Sequence, residues 1–213
     1  VKDALLMLIT VPSGRYSYET ARTDPPPRRG MIGTMARKPV AREAVLDAFE
    51  SLLIEQGERA ATLDAVARLA GVSKGGLLYH FPTKEAMISV LLERLDRLLA
   101  EDLAAMAAAP EGAAAFFIKS SVWADTPLDR VFVAATRLAE VAHQETLRRM
   151  AAVQASWLDL LAADVGPDMA KPVLYMGDGL YFNAMLARGP GGPLPEVGPD
   201  VDSLLTALER LRG

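Results

Sequence analysis

The chain has 213 residues, of which 51% are hydrophobic, with 23 Lys and Arg against 27 Asp and Glu and a formal net charge of −4. That length and apolar content suit one large domain or two small ones with an ample core. There is no cysteine, which excludes a disulfide framework and a thiolate metal site and fits a reducing, cytoplasmic setting. The charge is uneven. Residues 1–100 hold 14 Lys and Arg against 12 Asp and Glu, and the remainder 9 against 15. The acidity therefore lies in the C-terminal part, and it is local charge that decides whether a surface meets phosphates.

Residues 1–38 read as a disordered tail. The apolar run Ala4 to Val11 is far too short to span a bilayer, and no cleavage site follows it, so neither a membrane segment nor a secretory signal is expected. Pro25, Pro26 and Pro27 precede Arg28 and Arg29 and cannot continue a helix. Met31 and Met35 offer alternative starts just before the patterned region. Arg28, Arg29, Arg37 and Lys38 either form a basic arm reaching a minor groove or are simply solvated.

The first helix is expected from Ala41 to Gln56, with Val45, Leu46, Phe49, Leu52 and Leu53 at three- and four-residue spacing. Gly57 stops it. A short helix from Thr62 to Ala70 follows, capped by the Thr62 hydroxyl, with Asp64 in its first turn where the helix dipole favours negative charge. Gly71 suits a left-handed turn. Ser73 caps a second short helix, Lys74 to Phe81, which Pro82 ends. Val66, Ala67, Ala70, Val72 and Leu77 line the inside of the corner, and the alanines allow close packing at a steep angle. This spacing predicts a helix-turn-helix, whose second helix enters the major groove of DNA.

The stretch VSKGGLLYHFPTKE, from Val72 to Glu85, resembles the signature of the TetR (tetracycline-repressor-like) family of bacterial transcription regulators, over about Ala41 to Leu92 by eye. The resemblance implies an all-α fold. A three-helix DNA-binding domain, residues 39–84, is joined by a long helix to a helical ligand-binding and dimerisation domain, residues 85–213. It further implies a homodimer on a palindromic double-stranded DNA operator, released by a small molecule. Carried over position by position, Thr62 and Ser73 meet phosphates, Tyr79, His80 and Lys84 match backbone-contacting positions, and Lys74, Gly75, Gly76 and Leu78 lie where bases are read. Two adjacent glycines leave little side chain for base contact and shift weight to Lys74 and to DNA shape.

Thr83 caps a long helix, Lys84 to Ala107, with two apolar stripes and a length of about 34 Å. Pro110 and Gly112 mark a boundary. Helices are then expected over Gly112 to Trp123, Leu128 to Val141, His143 to Ala163, and Met169 to Arg188. Gly189 to Pro195 is a loop, and Asp200 or Asp202 opens a last helix to Leu211.

No catalytic constellation is found. His143 beside Glu140 and Glu145 lacks metal spacing, and no nucleophile elbow or phosphate-cradling loop is present. Neither enzyme activity, metal nor cofactor is expected. Phe116, Phe117, Trp123, Phe132, Met150, Trp157, Tyr175 and Met176 are candidates to line a pocket, with core packing the alternative for each. Such a lining suits a small apolar or aromatic ligand better than a charged one, with His143, Gln154, Asp178 or Asn183 as polar handles. Gly177, Gly179 and Ala184 permit close helix contact. With the resemblance, this places dimerisation at Gly177, Leu180, Tyr181, Ala184, Leu204 and Leu208. A repressor fits best. An activator or dual regulator, or an adaptor whose C-terminal part docks a protein, are the alternatives.

Overall fold

The computed structural model describes residues 37–188 and 196–212. Of the tail expected over residues 1–38, residues 1–36 with Arg28 and Arg29 lie outside the described residues, as does the loop at 189–195, whereas Arg37 and Lys38 already belong to the first helix. Among those described the chain forms nine α-helices and no strand. The first four are α1 (Arg37–Gln56), α2 (Leu63–Leu69), α3 (Lys74–His80) and α4 (Lys84–Ala107). There follow α5 (Ala113–Ser120), α6 (Pro127–Glu140), α7 (Gln144–Val165), α8 (Pro167–Arg188) and α9 (Gly198–Arg212).

The helix starts follow local chemistry. Thr62 accepts a hydrogen bond from the Ala65 amide, Ser73 from that of Gly76 and Thr83 from that of Ala86. Each satisfies an amide that the first turn leaves without a helical partner. Gly57 and Gly71 both have φ in the left-handed region, +79° and +67°, where glycine carries no steric cost. Thr126 and Asp129 close a reciprocal capping box at α6, with Pro127 behind it.

Several boundaries differ from expectation: α1 opens at Arg37 rather than Ala41, and α9 at Gly198 rather than Asp200 or Asp202. α5 ends at Ser120 rather than Trp123. The hydroxyls of Ser120 and Ser121 both donate to the Phe117 carbonyl, at 3.2 and 2.6 Å, and compete with the helical ladder. α8 begins at Pro167, since proline is well suited to a first helical position, and carries Pro172 inside it.

The amphipathic faces build two principal cores. In the first, Val45, Phe49 and Leu53 of α1, Val66 and Ala67 of α2, Leu77 of α3 and Leu91 and Leu95 of α4 pack together. Val131, Ala134, Ala135 and Leu138 of α6 and Met150 of α7 complete it. Packing thus crosses residue 84, and the small N-terminal helices rest on α6. In the second, Met106 of α4 meets Phe117 and Ile118 of α5, Leu161 of α7, Val173 and Leu174 of α8 and Leu208 of α9. Each fully buried large apolar side chain contributes about 1.5–3 kcal/mol to the driving force. Asp164 of α7 joins three elements of this half, accepting from the Ala114 amide at 2.8 Å and from Arg212 at 2.9 Å.

Charge ties the two halves together. Glu50 of α1 is 3% exposed. It accepts from Arg94 of α4 at 3.2 Å and from Arg130 of α6 at 2.9 Å. Arg94 also reaches Asp47 and Glu43. Arg149 of α7 pairs with Asp96 of α4.

Candidate functional site

The helix-turn-helix is built as the spacing predicts. The Val72 amide donates to the Ala67 carbonyl across the turn at 3.0 Å. Leu77 is fully buried and pins the inner face of α3. The opposite face is open, with Ser73, Lys74, Gly75, Leu78 and Tyr79 exposed and Gly76 and His80 half-buried. Tyr79, 69% exposed, stands edge-on to His80 with ring centroids 5.2 Å apart. Large apolar side chains at the surface mark contact sites more often than chance. Here Leu78 and Tyr79 sit on the outward face of α3.

Gly75 is informative because nothing inside the protein requires it. A Cβ there would meet no atom within 4 Å, and its φ is not in the left-handed region. Any need for its small size lies in whatever approaches α3 from outside.

Both lysines expected at a DNA contact are already paired. Lys74 lies 2.9 Å from Asp64 in an exposed pair. Lys84 is held more firmly, donating to the Glu58 carbonyl at 2.7 Å and to its carboxylate at 2.6 Å. Lys84 thereby fastens the start of α4 to the α1–α2 connection. Sequence reading missed both partners, which are set by tertiary approach. Arg42 stacks over Phe81, 5.3 Å from the ring centroid, beside this surface.

In the C-terminal half the candidate lining residues divide. Phe117, Trp123, Phe132 and Trp157 join one continuous aromatic cluster with Tyr181. Ring centroids lie 5.5 Å apart for Phe117 and Trp157, 5.8 Å for Phe132 and Trp157, 6.1 Å for Phe132 and Tyr181, and 6.0 Å for Trp123 and Tyr181. Phe116 and Met176 pack at the edge of the second core, and Met150 belongs to the first. Tyr175 is 57% exposed and faces away from any interior. Of the polar handles, Asn183 is exposed. His143 is the N-cap of α7, its Nδ1 accepting from the Thr146 amide.

Two carboxylates, Asp102 and Asp129, lie beside Trp157 and Tyr181 without having been evident from the sequence. Asp102 falls on the buried stripe of α4 between Leu99 and Met106, so an acid at an apolar position was the available signal. Desolvation pushes its carboxyl above the ordinary range, opposed by the Trp157 indole N–H that faces it, and Asp129 raises it further. Asp129 itself starts α6 and faces the Tyr181 hydroxyl, which burial holds protonated. Asp178, one turn before Tyr181, is pushed up to about 6 by burial. Among the described residues no cluster of histidines and carboxylates could hold a metal ion, and no helix is long and apolar enough to cross a membrane.

The residues expected at a dimer contact are largely used within one chain. Leu180, Ala184 and Leu208 are buried, Leu204 is half-buried against the second core, and Tyr181 belongs to the aromatic cluster. A Cβ on Gly177 would lie 2.3 Å from Phe117 Cε1 and 2.5 Å from Ser121 Oγ. The small residue is there so that α5 can approach α8. On α8, Tyr175 and Leu186 are exposed with the half-buried Gly179 and Phe182 between them at helical spacing, and Leu211 of α9 is likewise exposed.

A three-helix unit with a bare, capped recognition helix, seated on a larger helical body, defines a helix-turn-helix DNA-binding protein. Residues 45–91 match the model of the bacterial regulatory proteins of the tetR family. The chain is 30% identical over 166 residues to the HTH-type transcriptional regulator BetI of Rhizobium meliloti, covering 72% of this chain and 82% of that one. Two solved structures share the fold. NalD, the secondary repressor of the MexAB-OprM multidrug efflux pump in Pseudomonas aeruginosa, has a TM-score of 0.57 at 19% identity, covering 83% of this chain and 97% of that one. The multidrug binding protein EbrR complexed with malachite green has a TM-score of 0.57 at 20% identity, covering 80% and 96%. The chain belongs to the tetR family of bacterial regulatory proteins and is a DNA-binding transcriptional regulator.

Proposed function

We propose that the protein is a one-component repressor. Two copies join through the outer faces of α8 and α9, place their α3 helices in successive major grooves of a palindromic operator, and leave it when a small molecule enters the aromatic cluster. The observation that carries this reading is the surface of α3, where Lys74, Gly75, Leu78 and Tyr79 point outward from a helix locked behind by Leu77. A two-fold dimer presents that surface twice and so requires half-sites about 34–36 Å apart, or a multiple. Ser73 and Thr62 sit at helix N-termini, where amides and hydroxyls suit phosphate oxygens.

Release by a ligand is supported by EbrR, which binds malachite green, and by the ion pairs between Glu50, Arg94 and Arg130. They seat α1 on α4 and α6, so movement of α6 shifts the DNA-binding helices. The protein acts where the chromosome is, in the cytoplasm, and as a regulator rather than an enzyme.

Selection of random duplexes by the purified full chain at about 150 mM salt tests this reading. Recovery of one palindrome with two half-sites supports it. Recovery of an asymmetric single half-site, or of no enriched sequence, contradicts it.

A further inference from the structure

We propose that Asp64 is a specificity-determining residue. It holds the Lys74 ammonium on the protein, so that the phosphates of random DNA meet a neutral pair while the lysine stays aimed at a base edge of the operator. The proposal rests on the placing of α3 at the operator given above and deepens it.

Lys74 Nζ lies 2.9 Å from Asp64 Oδ1 and donates to Oδ2 at 3.2 Å. The two residues stand ten positions apart and on different helices, so the corner between α2 and α3 is what brings them together. Both side chains are open to solvent, 57% exposed for Lys74 and 72% for Asp64. An ion pair so exposed adds little to folding. Its consequence lies in what an approaching duplex meets.

That surface carries little net charge. Residues 57–85 hold four Lys and Arg against three Asp and Glu. Lys84 is held by Glu58 at 2.6 Å, and Arg42, beside α3, lies 3.4 Å from Glu43. Affinity for random DNA comes almost wholly from cations that displace counterions from phosphates. Cations already matched within the chain do this poorly. Specificity is a difference between two affinities, and it is gained as well by weakening the wrong complex as by strengthening the right one.

Of the three acids, Asp64 is the one whose pairing has no structural duty. Glu58 is half-buried and fixes the start of α4 through Lys84. Glu43 is taken by Arg94 at 2.7 Å, which seats α1 on α4. Among the described residues Asp64 makes its ion pair with Lys74 alone. An ammonium has three N–H donors, so a lysine held by one carboxylate keeps donors for the groove. Guanine offers O6 and N7 there, whereas a phosphate gains little from a pair that is already neutral. With Gly75 and Gly76 following, Lys74 is the one long polar side chain at the exposed start of α3.

The full chain is titrated by fluorescence anisotropy against its selected palindrome and a random duplex of equal length, over a series of salt concentrations. Asp64→Asn should bind the random duplex about tenfold more tightly near 150 mM salt, with the slope of log affinity against log salt steeper by about one for each protomer bound. Operator affinity should move by less than about threefold, so the preference for operator falls. Asp64→Glu keeps the charge and should keep the wild-type salt slope. In a Lys74→Ala background, adding Asp64→Asn should leave the slope where Lys74→Ala puts it, because no ammonium is released.

An unchanged random-duplex affinity and salt slope in Asp64→Asn, or an equal gain on both duplexes, overturns the proposal. So does a lowered melting temperature with unaltered salt dependence, which reduces Asp64 to a partner of the α2 dipole. Equal steepening with and without Lys74 overturns the route through the lysine. If Lys74→Ala weakens the operator while Asp64→Asn moves nothing, the role of Asp64 alone falls. If Lys74→Ala alters neither duplex, the placing of Lys74 at the DNA falls and takes the proposal with it.

Discussion

Arg130 of α6 donates from its Nε to Glu50 of α1 at 2.9 Å, while Arg94 of α4 holds the other carboxylate oxygen at 3.2 Å. Burial pushes the Glu50 carboxyl above its ordinary range, and the two guanidiniums oppose that shift. Removing one partner of a buried pair is costly because the other charge is left uncompensated. Arg130→Met keeps the stem packing and Arg94, so a loss of about 2 kcal/mol in unfolding free energy is expected, measured by urea titration. The same variant should show a weaker effect of ligand on operator affinity. Wild-type stability would show that Glu50 needs only Arg94.

Gly75 offers a test that separates folding from recognition. Alanine there fills open space and favours the helix, so Gly75→Ala should raise stability by about 0.5–1 kcal/mol. If α3 enters a groove at this point, operator affinity should fall nonetheless. Opposite signs in thermal melting and DNA binding are the expected result. Unchanged DNA affinity would remove Gly75 from the interface.

The two lysines should behave differently. The Lys84 side chain is 22% exposed and locked to Glu58, so Lys84→Ala should destabilise the protein by about 1–2 kcal/mol and weaken operator and random DNA alike. Lys74 is exposed, and its pair with Asp64 is worth little in water. Lys74→Ala should leave melting unchanged and reduce the preference for operator over random DNA. Equal loss on both duplexes for both variants would sink the distinction.

On α8, Gly177→Ala drives a methyl into Phe117 and Ser121 and should cost about 1–3 kcal/mol through overpacking. Tyr175→Glu on the outer face should leave the protomer folded and shift the oligomer toward monomer in analytical ultracentrifugation. A stable monomer from Gly177→Ala, or an intact dimer with Tyr175→Glu, would return the contact to the inner face.

Asp178 predicts a pH dependence. Its carboxyl ordinarily titrates near 3.8 and is pushed up to about 6. Between those values the folded chain keeps a proton that the unfolded chain has lost, so this group's contribution to stability falls as pH rises through the window. The loss is on the order of 3 kcal/mol. Asp178→Asn should flatten melting temperature against pH between 4 and 7 and be the more stable form at neutral pH. An identical slope in both proteins would show that Asp178 titrates normally.

What the sequence made legible was local. Thr62, Ser73 and Thr83 announce their helices because a cap acts within three residues, and Gly71 announces the turn because only its own backbone is involved. α4 was readable to the residue from its apolar stripes and Thr83. The small residues of α8 signalled a close helix approach, but not that it is made within the chain, where Phe117 fills the space over Gly177 from another helix. The partners of Lys74 and Lys84 were hidden for the same reason. Asp102 left a trace, an acid on an apolar stripe. Its meaning depended on Trp157 and Asp129, which only packing brings near.

Regulation by this protein depends on whether α3 reads sequence. The most direct measurement is the affinity of the full chain for its selected palindrome and for a scrambled duplex of equal length, by fluorescence anisotropy at about 150 mM salt. A ratio of about a thousand or more is expected of specific recognition. A ratio near one, with the steep salt dependence of phosphate binding alone, would contradict it.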